Sequence, residues 1–318
     1  MKTALLAALC VIAVLYILYW ILKLLGRSLR ETVPGPTHLV IGFITDFLDT
    51  LGVGSFAVTT SLYRAVGLVP KADCQVDDAE LPGTLNVGHT LPTILQALIY
   101  IKAIEIDTTT LVSLIAASVF GAVFGASFVV KMPKTRVQFG VGVALAVATV
   151  LVLLKLTGCL PGGGDATSLS GVPLIIALVG NFIFGALMTI GVGAYAPIMI
   201  MVSLLGMSQK SAFPIMMGAC AFLMPLSSWR FIASGKVNTR AALGLAVGGL
   251  PGVVIAAFIV QEMDVKILLW MVVFIAAYTS ISLLLAAYRG SAGASESQEA
   301  SRLEQPGLRG NEGSHTGR

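Results

Sequence analysis

Charged residues are scarce in this sequence, since Asp, Glu, Lys and Arg together make up only 11 % of its 318 residues. Soluble globular domains carry about 25 %, so the composition excludes a soluble enzyme or regulator. Hydrophobic residues make up 56 %, and the mean hydropathy is +0.91. Apolar stretches of about 20 residues, the length that crosses a bilayer, recur along the chain. The sequence therefore predicts an all-α membrane protein that crosses the lipid bilayer several times.

Motifs for metal, nucleotide and disulfide chemistry are also missing. The four cysteines show neither C-x-x-C spacing nor a framework of pairs, and the sequence contains no H-E-x-x-H and no G-K-[ST]. We therefore predict no catalytic residues, no metal site and no cofactor. The basic residues behind the net charge of +4 lie mostly between apolar segments, as the positive-inside rule requires. No nucleic-acid partner is predicted.

One unusual motif occurs twice. Residues Thr50–Ala57 read TLGVGSFA, and residues Thr189–Ala196 read TIGVGAYA. Both copies lie in long apolar segments, where glycine is costly for a helix unless the backbone must open. Glycine-interrupted segments at matching positions of a duplicated unit are typical of transporters and mark the binding site. The two copies therefore predict two broken helices that face each other.

The remainder of the second half also repeats the first, at a slightly shorter offset: Ile106-Asp107-Thr108 corresponds to Val237-Asn238-Thr239, and Gly121 to Gly252. We therefore expect about nine transmembrane segments, an N-terminal span plus two homologous four-segment repeats with broken helices at Gly-x-Gly. The predicted units are an anchor helix (1–30), the first repeat (38–156), a Gly/Pro linker (157–171), the second repeat (172–289) and a disordered tail (290–318).

The path of each glycine segment stays open from the sequence. A broken helix that crosses the membrane gives four crossings per repeat and parallel halves. A re-entrant pair of half-helices gives inverted halves instead.

A helix that is broken at Gly-x-Gly can bind an anion. Backbone N–H groups at the start of the second half-helix lack partners, and the positive end of its dipole lies there. A threonine hydroxyl before each break can add a hydrogen bond. The alternative is that the glycines only allow close helix packing. We predict a small anionic substrate at the breaks, bound by Thr50, Gly52, Gly54, Ser55, Thr189, Gly191, Gly193 and Pro197.

Four further polar residues are candidates for coupling transport to protons. Asp46 and Asp49 share a helical face in the first broken segment, and Asn86 and His89 share one in the next span. A carboxylate at mid-membrane costs about 2.5 kcal/mol or more and is a functional hypothesis by default. Histidine can carry a proton near neutral pH. In the alternative interpretation, the carboxylates lie near the headgroups and the histidine is a packing residue.

The duplicated Gly-x-Gly, the segment Pro82–Gly88 (PGTLNVG) and the glycine-rich third span resemble the TauE/SafE family of sulfite exporters, over about Leu39 to Tyr288. The family motif runs G-x-G-G-G with a proline a few residues later. The second copy here keeps that proline as Pro197, whereas the first copy has Ser55 and Phe56 after Gly54. The resemblance implies a multi-pass plasma-membrane protein that exports sulfite or related sulfur-containing anions such as sulfonates.

The sequence thus predicts a secondary transporter of small anions, with the C-terminal tail in the cytoplasm. Its partners would be the anionic substrate and the lipid bilayer, and homo-oligomerisation stays open. Two alternatives remain, a passive anion channel and a membrane assembly or accessory protein that transports nothing.

Overall fold

The structure is a computed structural model that describes residues 1–25, 32–67, 76–77, 79–125, 134–157, 164–188 and 195–303. These residues form α-helices with short 3₁₀ and π turns and no β-strand, which confirms the predicted all-α class. The helices are α1 (Lys2–Leu24), α2 (Pro36–Thr50), α3 (Ser55–Gly67), α4 (Leu81–Ala103), α5 (Thr108–Phe120), α6 (Lys134–Leu156), α7 (Gly171–Met188), α8 (Tyr195–Leu204), α9 (Ala212–Ser234), α10 (Thr239–Glu262) and α11 (Val265–Leu303).

Four of the helical segments are long and apolar enough to cross a membrane: α1, α7, α9 with the 3₁₀ turn before it, and α10. Shorter apolar helices lie within α5, α6 and α11. Together these segments agree with a multi-pass membrane protein. The count of nine membrane segments stays a prediction.

The apolar segment that carries the first copy of the glycine motif breaks at Leu51–Gly54, between α2 and α3, as its glycine pair predicts. Gly52 and Gly54 have φ angles of 99° and 91°, which are readily adopted only by glycine. The chain then reverses direction. Ser55, at the start of α3, bonds to Asp49 near the end of α2.

Tyr63, two turns later in α3, bonds instead to His38, near the start of α2. Helices α2 and α3 are therefore antiparallel and form a re-entrant hairpin, with the glycine motif at its tip. Of the two paths that the sequence leaves open, the contacts favour this one for the first copy.

A second pair of half-helices, α7 and α8, begins and ends at one place. Ala166, which precedes α7, donates its N–H to the carbonyl of Gly206 and accepts the N–H of Ser208, and both of these residues follow α8. Because the segment before α7 is hydrogen-bonded to the segment after α8, the start of α7 and the end of α8 lie at the same end of the fold. This pair of helices therefore also forms a hairpin. Residues 189–194, which join them and carry the second glycine motif, lie outside the described residues.

The helices of the two halves interlock. Helix α2 packs on α10, α7 packs on α5, α4 packs on α9 and α6 packs on α11. Glycines allow the close crossings, because a Cβ atom on Gly252 would clash with the carbonyl of Phe43 and one on Gly121 with the carbonyl of Phe182. The main core lies between α4 and α9, where the buried rings of Tyr100 and Phe213 lie 4.8 Å apart.

Helix α11 ends at Leu303 and so includes residues 290–303 of the segment 290–318, which the sequence predicts to be a disordered tail. Three alanines and two glutamates in this extension favour a helix, whereas its two glycines do not. Residues 304–318 lie outside the described part of the chain.

Candidate functional site

Asp49 belongs to the last turn of α2, before the first break, but its carboxylate reaches across the break to the N-terminus of α3. Its Oδ1 accepts the backbone N–H of Ser55 at 2.8 Å, and its Oδ2 accepts a hydrogen bond from Nε2 of Gln96 at 3.1 Å. The side chain is buried. The donor that the sequence assigns to a substrate anion is therefore bonded to a carboxylate of the protein itself.

Thr50 is held by three hydrogen bonds within the protein. Its hydroxyl donates to the carbonyl of Asp46 at 2.6 Å and accepts from Nε2 of Gln96 at 2.8 Å. Its carbonyl accepts the hydroxyl of Tyr100 at 2.8 Å. These bonds fix the end of α2 against α4, so the Thr50 hydroxyl supports the break from within.

Asp46, His89 and Thr59 form a buried chain of hydrogen bonds. Nδ1 of His89 lies 2.8 Å from Oδ1 of Asp46, and Nε2 lies 3.0 Å from the hydroxyl of Thr59. All three side chains have an exposure of 0 %. A buried charge must be paired, and the imidazole is the partner of this carboxyl group.

The orientation of the Thr59 hydroxyl depends on how many protons the Asp46–His89 pair holds. When it donates to the carbonyl of Ser55, 2.8 Å away, Nε2 of His89 must be the donor to it, and one more proton lies between Nδ1 and Asp46. When it donates to Nε2 instead, Nδ1 carries the only imidazole proton. The two states differ by one proton and a rotation of one hydroxyl, so the chain can hold or release a single proton.

Helix α3 lines up its polar contacts on one face. Four residues of helix rise about 6 Å, so the contacts at Ser55, Thr59 and Tyr63 extend over about 12 Å from the break toward the start of α2. The partners along this line are Asp49, the Asp46–His89 pair and His38.

Two buried oxygen atoms of the cluster have no hydrogen-bond partner among the described residues: Oδ2 of Asp46 and Oε1 of Gln96. Oδ2 of Asp46 lies against Gly249 of α10, where a Cβ atom would clash with it. The space beside Gly54 is open, because a Cβ atom there would meet nothing within 4 Å. The cluster thus has unused acceptors, and the tip of the hairpin has room beside it.

The structure separates Asn86 from the other predicted coupling residues. Its amide donates to the carbonyl of Pro82 and its Oδ1 accepts the hydroxyl of Ser227 on α9. Although Asn86 and His89 lie one turn apart, only His89 reaches α2. Pro197 is buried in α8. Thr189, Gly191 and Gly193 lie outside the described residues.

The sequence prediction missed Thr59, Gln96 and Tyr100. Gln96 is the clearest omission, because an amide inside a long apolar helix signals a buried hydrogen-bond partner. Among the described residues, no group of three His, Cys, Asp or Glu side chains could hold a metal ion. A cavity of about 690 Å³ borders Lys2, Asp107 and Thr167 rather than this cluster.

Comparison with curated proteins and with solved structures finds no match. Comparison with protein families finds one that covers most of the chain, from residue 39 to residue 283, close to the range over which the sequence resembles it. The chain belongs to the sulfite exporter TauE/SafE family.

Proposed function

We propose that this chain is a secondary transporter that exports small anions, most favourably sulfite or related organosulfur anions, across the plasma membrane. Its family consists of membrane transporters of sulfite-like anions rather than enzymes. The observation that carries the proposal for this chain is the first hairpin, whose tip combines an open space at Gly54 with the N-terminus of α3. A helix N-terminus attracts negative charge without requiring a cationic side chain.

The substrate would bind between the two hairpin tips, at the interface of two inverted repeats. Three pairs of helix starts support the repeats, because each pair has the same separation in sequence: Leu81 and Ala212, Thr108 and Thr239, and Lys134 and Val265. The caps match as well: Asp107 accepts the N–H of Thr110, and Asn238 accepts that of Ala241.

The interlocked packing gives the same support. Gly252 crosses Phe43, and their counterparts in the other repeat, Gly121 and Phe182, cross each other. Two repeats related by a two-fold axis produce such reciprocal contacts. An axis in the membrane plane is typical of transporters that bind their substrate at mid-membrane.

The arrangement of hairpins also agrees with the positive-inside rule. If α2–α3 and α7–α8 each enter and leave the membrane on one side, the chain crosses it seven times, with α1, α4, α5, α6, α9, α10 and α11. Helix α7, which is long enough to cross, then forms the first arm of the second hairpin. Lys23, Arg136, Lys236 and Arg240 then lie on one side, which we assign to the cytoplasm. A nine-crossing scheme puts Arg136 on the other side. The C-terminal tail would be cytoplasmic.

The proposal is tested with the purified full-length protein in proteoliposomes, with efflux measured for sulfite, sulfate, thiosulfate, methanesulfonate and acetate. Sulfite should leave fastest and should be concentrated against its gradient. The double variant Gly54→Leu/Gly193→Leu should lose efflux, because leucine at position 54 would occupy the open space and disfavours the φ angle of 91° there. The matched control is Gly140→Leu, on an exposed face of α6 with nothing within 4 Å of its Cβ position.

Normal efflux in the double variant would contradict a substrate site at the tips. If sulfite only ever flows from the higher to the lower concentration, the protein is a passive channel. Absence of flux for every anion, together with a stably co-purifying protein, would indicate an accessory protein.

A further inference from the structure

The first hairpin carries a carboxyl group of its own at the N-terminus of α3. The carboxylate of Asp49 accepts the N–H of Ser55, the first residue of α3, at 2.8 Å. In the second copy of the motif the residue that corresponds to Asp49 is Met188. The second copy of the motif therefore has no carboxyl group at the position that corresponds to Asp49.

The positive charge near Asp49 is too small to balance another anion. The Asp46 carboxyl group is paired with His89 at 2.8 Å. Asp49 accepts hydrogen bonds from the backbone N–H and the hydroxyl of Ser55 and from the amide of Gln96, all of them neutral donors. One imidazole can balance only one of the two carboxylates, and an added substrate anion would lie beside an unbalanced charge in a buried site, where charges repel strongly.

Gln96 offers the partner that a neutral Asp49 would need. Its Oε1 is fully buried and has no hydrogen-bond partner among the described residues. A proton that adds to a lone pair of Asp49 Oδ2 forms an O–H bond, and a turn of the Gln96 amide lets Oε1 accept it. Oδ1 of the neutral carboxyl group is a weaker acceptor than a carboxylate oxygen, so a substrate anion can compete with it for the N–H of Ser55. The charge of the cluster then changes by +1 from the proton and by the charge of the anion.

We propose that a substrate anion binds at the first hairpin only when Asp49 is protonated, so that the anion and a proton are bound and carried together in the same direction. This inference rests on the proposed function and names the coupling ion and its direction. Asp49 acts as a tethered competitor of the substrate for the N-terminus of α3.

Other titratable groups lie near Asp49 and would respond to the same proton. On α2 it interacts electrostatically with Asp46, on α4 with His89 and Tyr100, and on α9 with Cys220. Helix α3 contributes the hydroxyls of Ser55 and Thr59. Helix α10 carries charged residues only near its ends, Arg240 and Glu262, and presents Gly249 to the cluster.

The test is sulfite binding to the full-length protein in nanodiscs, measured for the wild type and for Asp49→Asn at about pH 5.5 and about pH 8.5. The two proteins meet the same mixture of sulfite and bisulfite at each pH, so the ratio of their Kd values isolates the effect of Asp49. Asparagine has the shape of a neutral Asp49 side chain and carries no charge, so it competes only weakly for the N–H of Ser55. We expect a ratio near one at the acidic pH.

Above the pH at which Asp49 ionises, wild-type affinity should fall about tenfold per pH unit relative to the variant. A ratio that stays constant between the two pH values would overturn the inference. If Asp49→Asn does not fold, Asp49→Ser removes the same charge and also caps a helix. Asp264→Asn, at the exposed start of α11, is the matched control and should keep a ratio of one at both pH values.

A wild type that does not bind sulfite at either pH would instead contradict the proposed function. The two failures are therefore distinguishable.

Discussion

Nδ1 of His89 and Oδ1 of Asp46 lie 2.8 Å apart at 0 % exposure, and they join α4 to the first half-helix of the hairpin. Breaking a buried pair by removing one partner is costly, because the remaining charge has no partner.

We expect His89→Leu to lower the free energy of unfolding by about 3 kcal/mol. The double variant Asp46→Leu/His89→Leu should recover part of that loss, because neither charge is then buried alone. Thermal unfolding in detergent provides the measurement. Equal destabilisation in the single and double variants would mean that the two groups do not interact.

The same pair should decide whether a pH gradient can drive transport. In proteoliposomes, we expect Asp46→Asn to lose accumulation of sulfite driven by a pH gradient and to keep exchange of sulfite for sulfite, which needs no net proton release. Asn86→Ala is a useful comparison, because Asn86 bonds to Pro82 and Ser227 instead. Gradient-driven accumulation at the wild-type rate in Asp46→Asn would contradict a coupling role.

Glycine at the crossing of α2 and α10 should be required for packing. A Cβ atom on Gly248 would clash with the carbonyl of Leu39, whereas one on Gly140 in α6 would meet nothing within 4 Å. We expect Gly248→Ala to destabilise the protein by about 2 kcal/mol. Gly140→Ala should stabilise it by about 0.5 to 1 kcal/mol, since alanine favours a helix. Similar unfolding temperatures for both variants would contradict the close crossing.

The two corresponding N-caps should differ in their response to acid. Asp107 caps α5 outside the membrane-spanning part of the helix, and its hydrogen bonds from the N–H and hydroxyl of Thr110 lower the pKa of the carboxyl group. Alanine at Asp107 or at Asn238 should cost about 1 kcal/mol at neutral pH.

Because the pKa of Asp107 is lower in the folded than in the unfolded state, its ionisation stabilises the fold above the unfolded pKa. That contribution is lost as the pH falls through the folded pKa. The cost of Asp107→Ala should therefore shrink in acid, and that of Asn238→Ala should not. Unfolding curves at a series of pH values below neutral provide the check, and a parallel response of the two variants would contradict the interpretation.

Cysteine labelling separates the hairpin scheme from nine crossings. In a background without the four natural cysteines, Ala79→Cys should react with a membrane-impermeant maleimide only from the cytoplasmic side. Thr167→Cys should react only from the outer side. Both positions are exposed. Nine crossings would predict the opposite side for each residue.

Local features of the fold could be predicted from the sequence, but the return path of the hairpins could not. The glycine pair at 52 and 54 indicated the break, because two glycines so close together weaken an apolar helix. The direction of α3 depends on contacts such as that of Tyr63 with His38, which no periodicity reveals. The crossing of α2 with α10 joins residues from the two halves of the chain and is likewise invisible in local sequence.

The candidate site was predicted in part. Asp46 and Asp49 stood out because carboxylates are costly in an apolar segment, and His89 because histidine can carry a proton near neutral pH. Their partners Thr59 and Gln96 are neutral residues that also occur in ordinary packing, so only the geometry selects them. Asn86 and His89 share one face by spacing, yet a turn of helix is enough to give them different neighbours.

The interlocked packing also has a consequence for how the protein is made. Helix α2 emerges from the ribosome long before its partner α10, so a newly inserted first half holds two carboxyl groups in the bilayer without the helix that covers them. Neither half has a complete interior of its own. We therefore expect biogenesis to be a late and cooperative event, in which the nascent N-terminal hairpin is held by the insertion machinery until the last helices arrive.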